Sequence, residues 1–257
     1  MLAANNVVLT LNNHLVLDKV CLQAKNGELI GLIGPNGAGK SSLLRAMAGI
    51  QKINAGELFW GEDLLGKYPT RALARQLAYL PQQEVPAWPL QVEHLVGLGR
   101  APWRRPWGQH READTAAIES ALEMTELTAF RHRSVGELSG GELRRVLLAR
   151  VFAGQPRCIL ADEPIAALDP YHQLHVMELL RKHANTGGSV VAALHDLGLA
   201  ARFCDRLILL SQGKVVVTGT PGEVLQSQYL ESVYRVKAHI QGDASCVSVV
   251  PYQRIAH

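Results

Sequence analysis

Long apolar runs are missing from this sequence. The most apolar stretch, Ser189–Ala201, is broken by His195 and Asp196, and nothing approaches the roughly 18 uninterrupted apolar residues of a membrane-spanning helix. A basic-then-apolar leader is missing as well, so a cytosolic chain is expected. Cysteine is scarce, with 4 in 257 residues. Cys21, Cys158, Cys204 and Cys246 are scattered without a C-x-x-C pair or metal spacing, which excludes a disulfide framework and predicts reduced, small apolar side chains. Charge of one sign is lacking too, since a net charge of +3 does not imply a nucleic-acid partner. Aromatics make up 5% of the chain, and neither Tyr nor Trp occurs in residues 1–58. What is present is an ordinary 47% of hydrophobic residues, which excludes disorder. At roughly 150 residues per domain, the length allows one large domain or a core with an insertion.

The patterning predicts β-structure first. Val7–Leu11 and Leu15–Ala24 lead through Lys25-Asn26-Gly27-Glu28, a turn sequence, into Leu29–Ile33, a run without polar alternation that suits a strand buried on both faces. Helix Ser41–Ala48, ended by Gly49, and strands Gly56–Trp60 and Ala78–Leu80 follow. Residues 84–110 hold Pro86, Pro89, Pro102 and Pro106, with Trp88, Trp103 and Trp107 beside Arg104 and Arg105. Their proline density favours a packed loop over a nucleic-acid surface. A helix is expected over Glu112–Phe130, with Ile118, Leu122 and Leu127 near one face. Strand and helix then alternate through Cys158–Ala161, Tyr171–Ala184 and Ser189–Leu194. Hairpins are expected at Leu207–Leu210 with Lys214–Thr218, and at Val236–Ile240 with Cys246–Val250. This order argues for an α/β core with a mainly parallel sheet.

Three motifs carry chemistry. Gly34-Pro35-Asn36-Gly37-Ala38-Gly39-Lys40-Ser41 matches G-x-x-x-x-G-K-[ST] between a buried strand and a helix. Such a loop turns successive backbone N–H groups inward at a helix N-terminus, where phosphates bind. Lys40 can reach the β- and γ-phosphates, Ser41 can ligate Mg²⁺, and Ser42 belongs to the same phosphate-binding turn. Cys158–Glu163 is an apolar strand that delivers Asp162 and Glu163 at its C-terminal end, the edge where parallel sheets bind ligands. Asp162 suits a Mg²⁺ shell, and Glu163 suits activation of a water. Leu138-Ser139-Gly140-Gly141-Glu142 contains a capping box, Ser139 with Glu142, for a helix over Leu143–Val151. Its paired glycines, which a cap does not need, would also let a phosphate approach the backbone.

These residues resemble the ATP-binding-cassette ATPases over essentially the whole chain: a Walker A loop at 34–41, an LSGG-type signature at Leu138–Glu142, and a Walker B strand ending in Asp162-Glu163. Gln82 matches the family's Q-loop, Ala167-Leu168-Asp169 its D-loop, and His195 its switch histidine. The resemblance implies a P-loop α/β fold: a mainly parallel core, an N-terminal antiparallel β-subdomain, and a helical subdomain inserted at about residues 84–155. A C-terminal helix and hairpin would occupy residues 220–257. It implies ATP and Mg²⁺ as cofactors, with Glu163, His195 and Gln82 catalytic and Ser41, Gln82 and Asp162 around the metal. It also implies a head-to-tail homodimer, in which Ser139, Gly140 and Gly141 act on the partner's nucleotide. Two permease subunits and, indirectly, a substrate-binding protein would complete an importer at the cytoplasmic membrane face.

The chain departs from the family pattern in three places. Leu11, with His14 nearby, stands where an adenine-stacking aromatic is usual. Glu142 replaces the commoner Gln, and Ala166 the commoner Ser. None of these removes a phosphate, metal or water-activating group. Trp88–Pro102 resembles a segment of importers for iron–siderophore, haem and cobalamin. Trp103, Trp107-Gly108 and Tyr229–Ile240 further resemble the ferric-citrate and siderophore subgroup. The expected cargo is therefore an iron(III)-siderophore, with haem or cobalamin, or a permease-free ATPase, as alternatives.

Overall fold

The computed structural model describes residues 1–82, 90–103, 112–243 and 246–255, with backbone only at 243, 246 and 247. The chain opens with β1 (Leu2–Leu11) and β2 (His14–Ala24), then β3 (Leu29–Ile33) and α1 (Lys40–Met47). Next come β4 (Ala55–Trp60), β5 (Asp63–Leu64), α2 (Thr70–Leu73) and β6 (Leu77–Leu80). Helices α3 (Val92–Gly97), α4 (Glu112–Met124) and α5 (Gly140–Ala153) lead to β7 (Cys158–Asp162), α6 (Pro170–Asn185) and β8 (Ser189–Ala193). The end comprises α7 (Leu197–Phe203), β9 (Arg206–Ser211), β10 (Lys214–Gly219), α8 (Pro221–Val224), α9 (Ser227–Tyr229), β11 (Val236–Asp243) and β12 (Cys246–Arg254).

The central sheet runs β10-β9-β3-β8-β7-β6. Strands β9, β3, β8, β7 and β6 are parallel, and β10 is antiparallel at the edge. An antiparallel sheet, β2-β1-β4-β5, lies beside it. Every residue of β3, β7 and β8 is buried, and for β3 this is the burial that its unbroken apolar run predicts. Alternate side chains feed two cores. Leu29, Ile33, Ile159, Ala161, Val190 and Ala192 face the helical side, while Ile30, Leu32, Cys158, Leu160, Val191 and Ala193 face α1 and the antiparallel sheet. The sheet is thus covered on both sides, and its functional loops are left at the C-terminal strand ends.

Several elements differ from the sequence expectation. The helix expected over Glu112–Phe130 stops at Met124, because Glu126 takes a left-handed φ of 57° and a 3₁₀ turn, Thr128–Phe130, follows. Leu127 nevertheless stays fully buried. The stretch before β11 is α9 and a five-residue π turn, Leu230–Tyr234, rather than a regular helix. Trp103 is indeed packed: its Nε1 donates to the Gly154 carbonyl at 3.1 Å, and its ring lies under Arg75 and Arg100. Trp88, Trp107, Arg104 and Arg105 lie outside the described residues. Cys158 and Cys204 are buried and free, but Cys21 is exposed, because β2 carries it outward opposite the irregular pairing at Val7.

Candidate active site

The phosphate loop leaves β3 at Gly34, whose φ is 147° and whose missing Cβ would lie 2.1 Å from the Leu210 carbonyl oxygen. Only glycine fits there, so the close packing of β9 against β3 sets where the loop begins. The loop ends on α1, and no side chain caps this helix. Its counterparts differ: α5 is capped by Ser139, α6 by Asp169 and α7 by Asp196. The first-turn N–H groups and the positive end of the α1 dipole therefore remain directed at the loop, an arrangement that binds anions.

Lys40 begins α1 and is 6% exposed. Its Nζ donates to the Gly34 carbonyl at 2.7 Å and the Pro35 carbonyl at 3.1 Å, so the ammonium lies across the loop. Burial pulls its pKa below the usual lysine value, against the opposing fields of Glu163 and Asp162. Ser41, one residue on, donates from Oγ to Asp162 Oδ1 at 2.9 Å. Tyr79, from β6, donates to the other oxygen, Oδ2, at 3.3 Å, and Arg45 reaches the Tyr79 hydroxyl at 3.4 Å. The Asp162 carboxylate is fully buried. Desolvation pushes its pKa up, with the Ser41 and Tyr79 hydrogen bonds opposing. A buried carboxylate beside a hydroxyl is a hard-oxygen donor pair that gains from a cation, and it fits Mg²⁺, which takes few protein oxygens and completes its shell with phosphate and water. The described residues hold no cluster of three or more His, Cys, Asp or Glu that could hold a metal ion.

Glu163 follows Asp162 just past β7, with a left-handed φ of 51°. Its N–H still donates to Ala193 of the neighbouring β8, and the turn aims its side chain at His195. Glu163 Oε1 and His195 Nε2 are 2.7 Å apart. The side chain of Glu163 is 18% exposed and that of His195 43%, so the pair faces the open end of the sheet. The structure thus brings together Lys40, Ser41, Asp162, Glu163 and His195. Gln82 sits just beyond β6, exposed, with its backbone carbonyl accepting from Arg144 at 3.3 Å. Its side chain makes no hydrogen bond among the described residues.

The signature residues lie elsewhere. Ser139 Oγ accepts from the Glu142 N–H, and Glu142 Oε2 accepts from the Ser139 N–H at 2.7 Å, so the capping box forms as expected. These bonds hold the Glu142 carboxyl below its usual range. Ser139, Gly140 and Gly141 line a cleft of about 410 Å³ with Ala167, Leu168, Asp169 and His172, and no residue of 34–42 lines it. The signature cleft and the phosphate loop are thus lined by different residues.

Sequence reasoning missed Tyr79 and Arg144, which reach the site from β6 and α5. Leu11, which stands where an adenine-stacking aromatic is usual, pairs with His14 at the β1–β2 turn. The sheet meets the phosphate loop at Val16 and Leu17, whose atoms lie 2.9 Å from the missing Cβ of Gly39. No motif marks Tyr79, Arg144 or Val16.

Comparison with known proteins agrees with this geometry. Residues 17–166 match the family model described as ABC transporter. The chain is 41% identical over 233 residues to the "Hemin import ATP-binding protein HmuV" of Rhodococcus jostii (strain RHA1), covering 91% of this chain and 79% of the relative. Against the protein of the same name from Pseudomonas aeruginosa, identity is 40% over 246 residues, with 94% and 95% covered. It is 38% identical over 239 residues to the "Cobalamin import ATP-binding protein BtuD" of Halobacterium salinarum, covering 92% of this chain and 60% of that one. Among solved structures, a dimeric bacterial ABC transporter cassette superposes with a TM-score of 0.76 at 28% identity, over 85% of this chain and 98% of that one. An inward-facing putative metal-chelate type ABC transporter shares the fold with a TM-score of 0.82 at 23% identity, over 98% and 97%. With its fold, its phosphate loop and more than half of its length matched, the chain belongs to the ABC transporter family, among its ATP-hydrolysing proteins.

Proposed function

We propose that this chain is the ATPase subunit of an importer whose cargo is an iron chelate, with haem placed first. The observation that carries the ATPase mechanism is the Glu163–His195 pair, 2.7 Å apart, at the end of the strand that also delivers Asp162. The α1 N-terminus and Lys40 bind the β- and γ-phosphates of ATP, Lys40 exchanging the Gly34 and Pro35 carbonyls for phosphate oxygens. Ser41 and Asp162 hold Mg²⁺, with Gln82 the further ligand expected from the resemblance. Bound there, Mg²⁺ supplies neutralisation of charge on the phosphate oxygens. Glu163 accepts a proton from the attacking water, a role worth about 10²–10⁴ in rate. His195 orients Glu163 and faces the γ-phosphate.

The separate signature cleft supports a head-to-tail homodimer, in which Ser139, Gly140 and Gly141 close over the partner's ATP. The helical segment supports a contact with two permease subunits. There Leu90, Glu93, His94, Leu98 and Ile118 line a groove of about 370 Å³. The chain would sit on the cytoplasmic membrane face through those subunits, since no described helix is long and apolar enough to cross a membrane. A substrate-binding protein would act only indirectly, and nucleic acid is no partner in this reading.

The names of the relatives move the cargo from the siderophore that the sequence segment suggested towards haem, with cobalamin next. The test is transport in vesicles holding the complete importer, supplied in parallel with haem, cobalamin and a ferric siderophore. ATP-dependent uptake of haem alone supports the reading. Uptake of a siderophore or cobalamin without haem overturns the cargo, and ATP turnover that no membrane partner alters overturns the importer.

A further inference from the structure

Arg144 is buried, 5% exposed, on the second turn of the signature helix α5. Among the described residues, no carboxylate side chain pairs with its guanidinium. It donates instead to backbone carbonyls of two other segments. Nε reaches Pro164 at 3.3 Å. One terminal nitrogen binds Pro81 and, at 3.3 Å, Gln82. The other binds Asp162 at 2.5 Å and Glu163 at 2.6 Å. Asp162 is the last residue of β7, and the other four carbonyls lie past the ends of β6 and β7, so the guanidinium continues the hydrogen bonding where the sheet ladder stops.

Burying a guanidinium is costly without full hydrogen bonding, and desolvation pulls Arg144 below the usual arginine range. An apolar side chain would seal α5 against the sheet without that cost. What the guanidinium adds is a fixed geometry. One nitrogen grips the carbonyls of both Asp162 and Glu163, the peptide units flanking the left-handed Glu163. A non-glycine residue in that conformation persists only where its surroundings over-determine it.

We infer that Arg144 is a positioning residue for ATP hydrolysis: it fixes the aim of Glu163 and ties it to both the signature helix and the Gln82 loop. A movement of α5 towards a partner's nucleotide, or of Gln82 under a membrane subunit, then reaches the carboxylate through one rigid planar fork. This rests on the reading of Glu163 as the water-activating group.

The test uses the full-length chain, assembled with its membrane partner if the chain alone turns over too slowly. Arg144→Met, Arg144→Gln and Arg144→Lys are compared by steady-state hydrolysis, ATP binding and melting temperature, each also in the Glu163→Gln background. A misaimed carboxylate predicts that kcat of Arg144→Met falls about 10- to 100-fold while KM for ATP stays within about threefold. Arg144→Lys, whose ammonium still reaches some of the carbonyls, should recover part of kcat. In single turnovers of the Glu163→Gln protein, adding Arg144→Met should cost no more than about twofold, because both changes act on one group. Arg144→Met at wild-type kcat overturns the proposal, as does a loss that adds in full to that of Glu163→Gln. If Arg144→Met does not fold, Arg144→Gln takes its place under the same criteria. Wild-type turnover by Glu163→Gln alone would instead remove the underlying reading of Glu163, a result independent of how the Arg144 variants behave.

Discussion

Glu163 and His195 meet across the ends of neighbouring strands, β7 and β8, with Oε1 2.7 Å from Nε2. A carboxylate held this way is oriented, partly exposed and one residue from the buried Asp162. Changing Glu163→Gln keeps size and hydrogen-bonding capacity but removes the proton acceptor. The expected outcome is unchanged ATP binding by calorimetry with hydrolysis lowered about 10²- to 10⁴-fold. Turnover near wild type would assign water activation to another group.

The second prediction concerns pH. Asp162 is raised above the ordinary carboxylate value of 3.8 by burial, so the folded chain binds its proton more tightly than the unfolded chain does. Its contribution to stability is therefore largest below 3.8 and declines as pH rises from there through the folded pKa. In Asp162→Asn that decline is missing. Melting curves from pH 3.5 upward should show wild type losing ground to the variant as pH rises, without ligand. Magnesium nucleotide should reverse the order at neutral pH, since a cation stabilises the ionised form. A difference in melting temperature independent of pH would refute the assignment.

Gly141 gives the third. A Cβ there would stand 3.2 Å from the Ala167 carbonyl oxygen and 3.4 Å from Leu168, so a methyl group presses the signature turn against the loop before α6. Gly141→Ala should fold with a loss of about 1–3 kcal/mol and bind ATP at its own phosphate loop normally. In the Glu163→Gln background it should fail to form the ATP-held dimer by light scattering. A normal dimer would show that the signature cleft does not take up a partner's nucleotide.

The parts of the site that could be read from the sequence were those whose chemistry is local. Lys40 and Ser41 stand at fixed offsets in a glycine loop, and Asp162-Glu163 end a strand too apolar to be anything but buried. His195 follows the same logic one strand later. Arg144 and Tyr79 escaped because the partners of Arg144 are 18–20 and 62–63 residues away and the Asp162 that Tyr79 meets is 83 residues away, and nothing in a helix or strand pattern tells which end of the sheet it will reach. The fold shows the same division. Both-face burial of β3 followed from its composition, whereas the break at Glu126 turns on one backbone angle in a sequence, Met124-Thr125-Glu126-Leu127, that carries no glycine or proline.

Arg100 and Asp114 supply the last prediction. Arg100 Nε donates to Asp114 Oδ1 at 2.7 Å, with side chains only 6% and 3% exposed. The same guanidinium binds the Ala153 carbonyl and Gln155, so it joins the start of α4 to the end of α5. Truncating Asp114→Ala leaves a buried cation short of its counter-charge, a change that costs about 3–5 kcal/mol. For a chain of this size, at roughly 2–4 °C per kcal/mol, the melting temperature should fall by about 6–20 °C. Hydrogen exchange should locate the loss in α4 and α5, leaving β3, β7 and β8 protected, because their core is sealed by other side chains. Asp114→Asn, which keeps a hydrogen-bond acceptor but no charge, should fall between the two. If Asp114→Ala melts within about 1 °C of wild type, water reaches Arg100 and the pair does not hold the helices together.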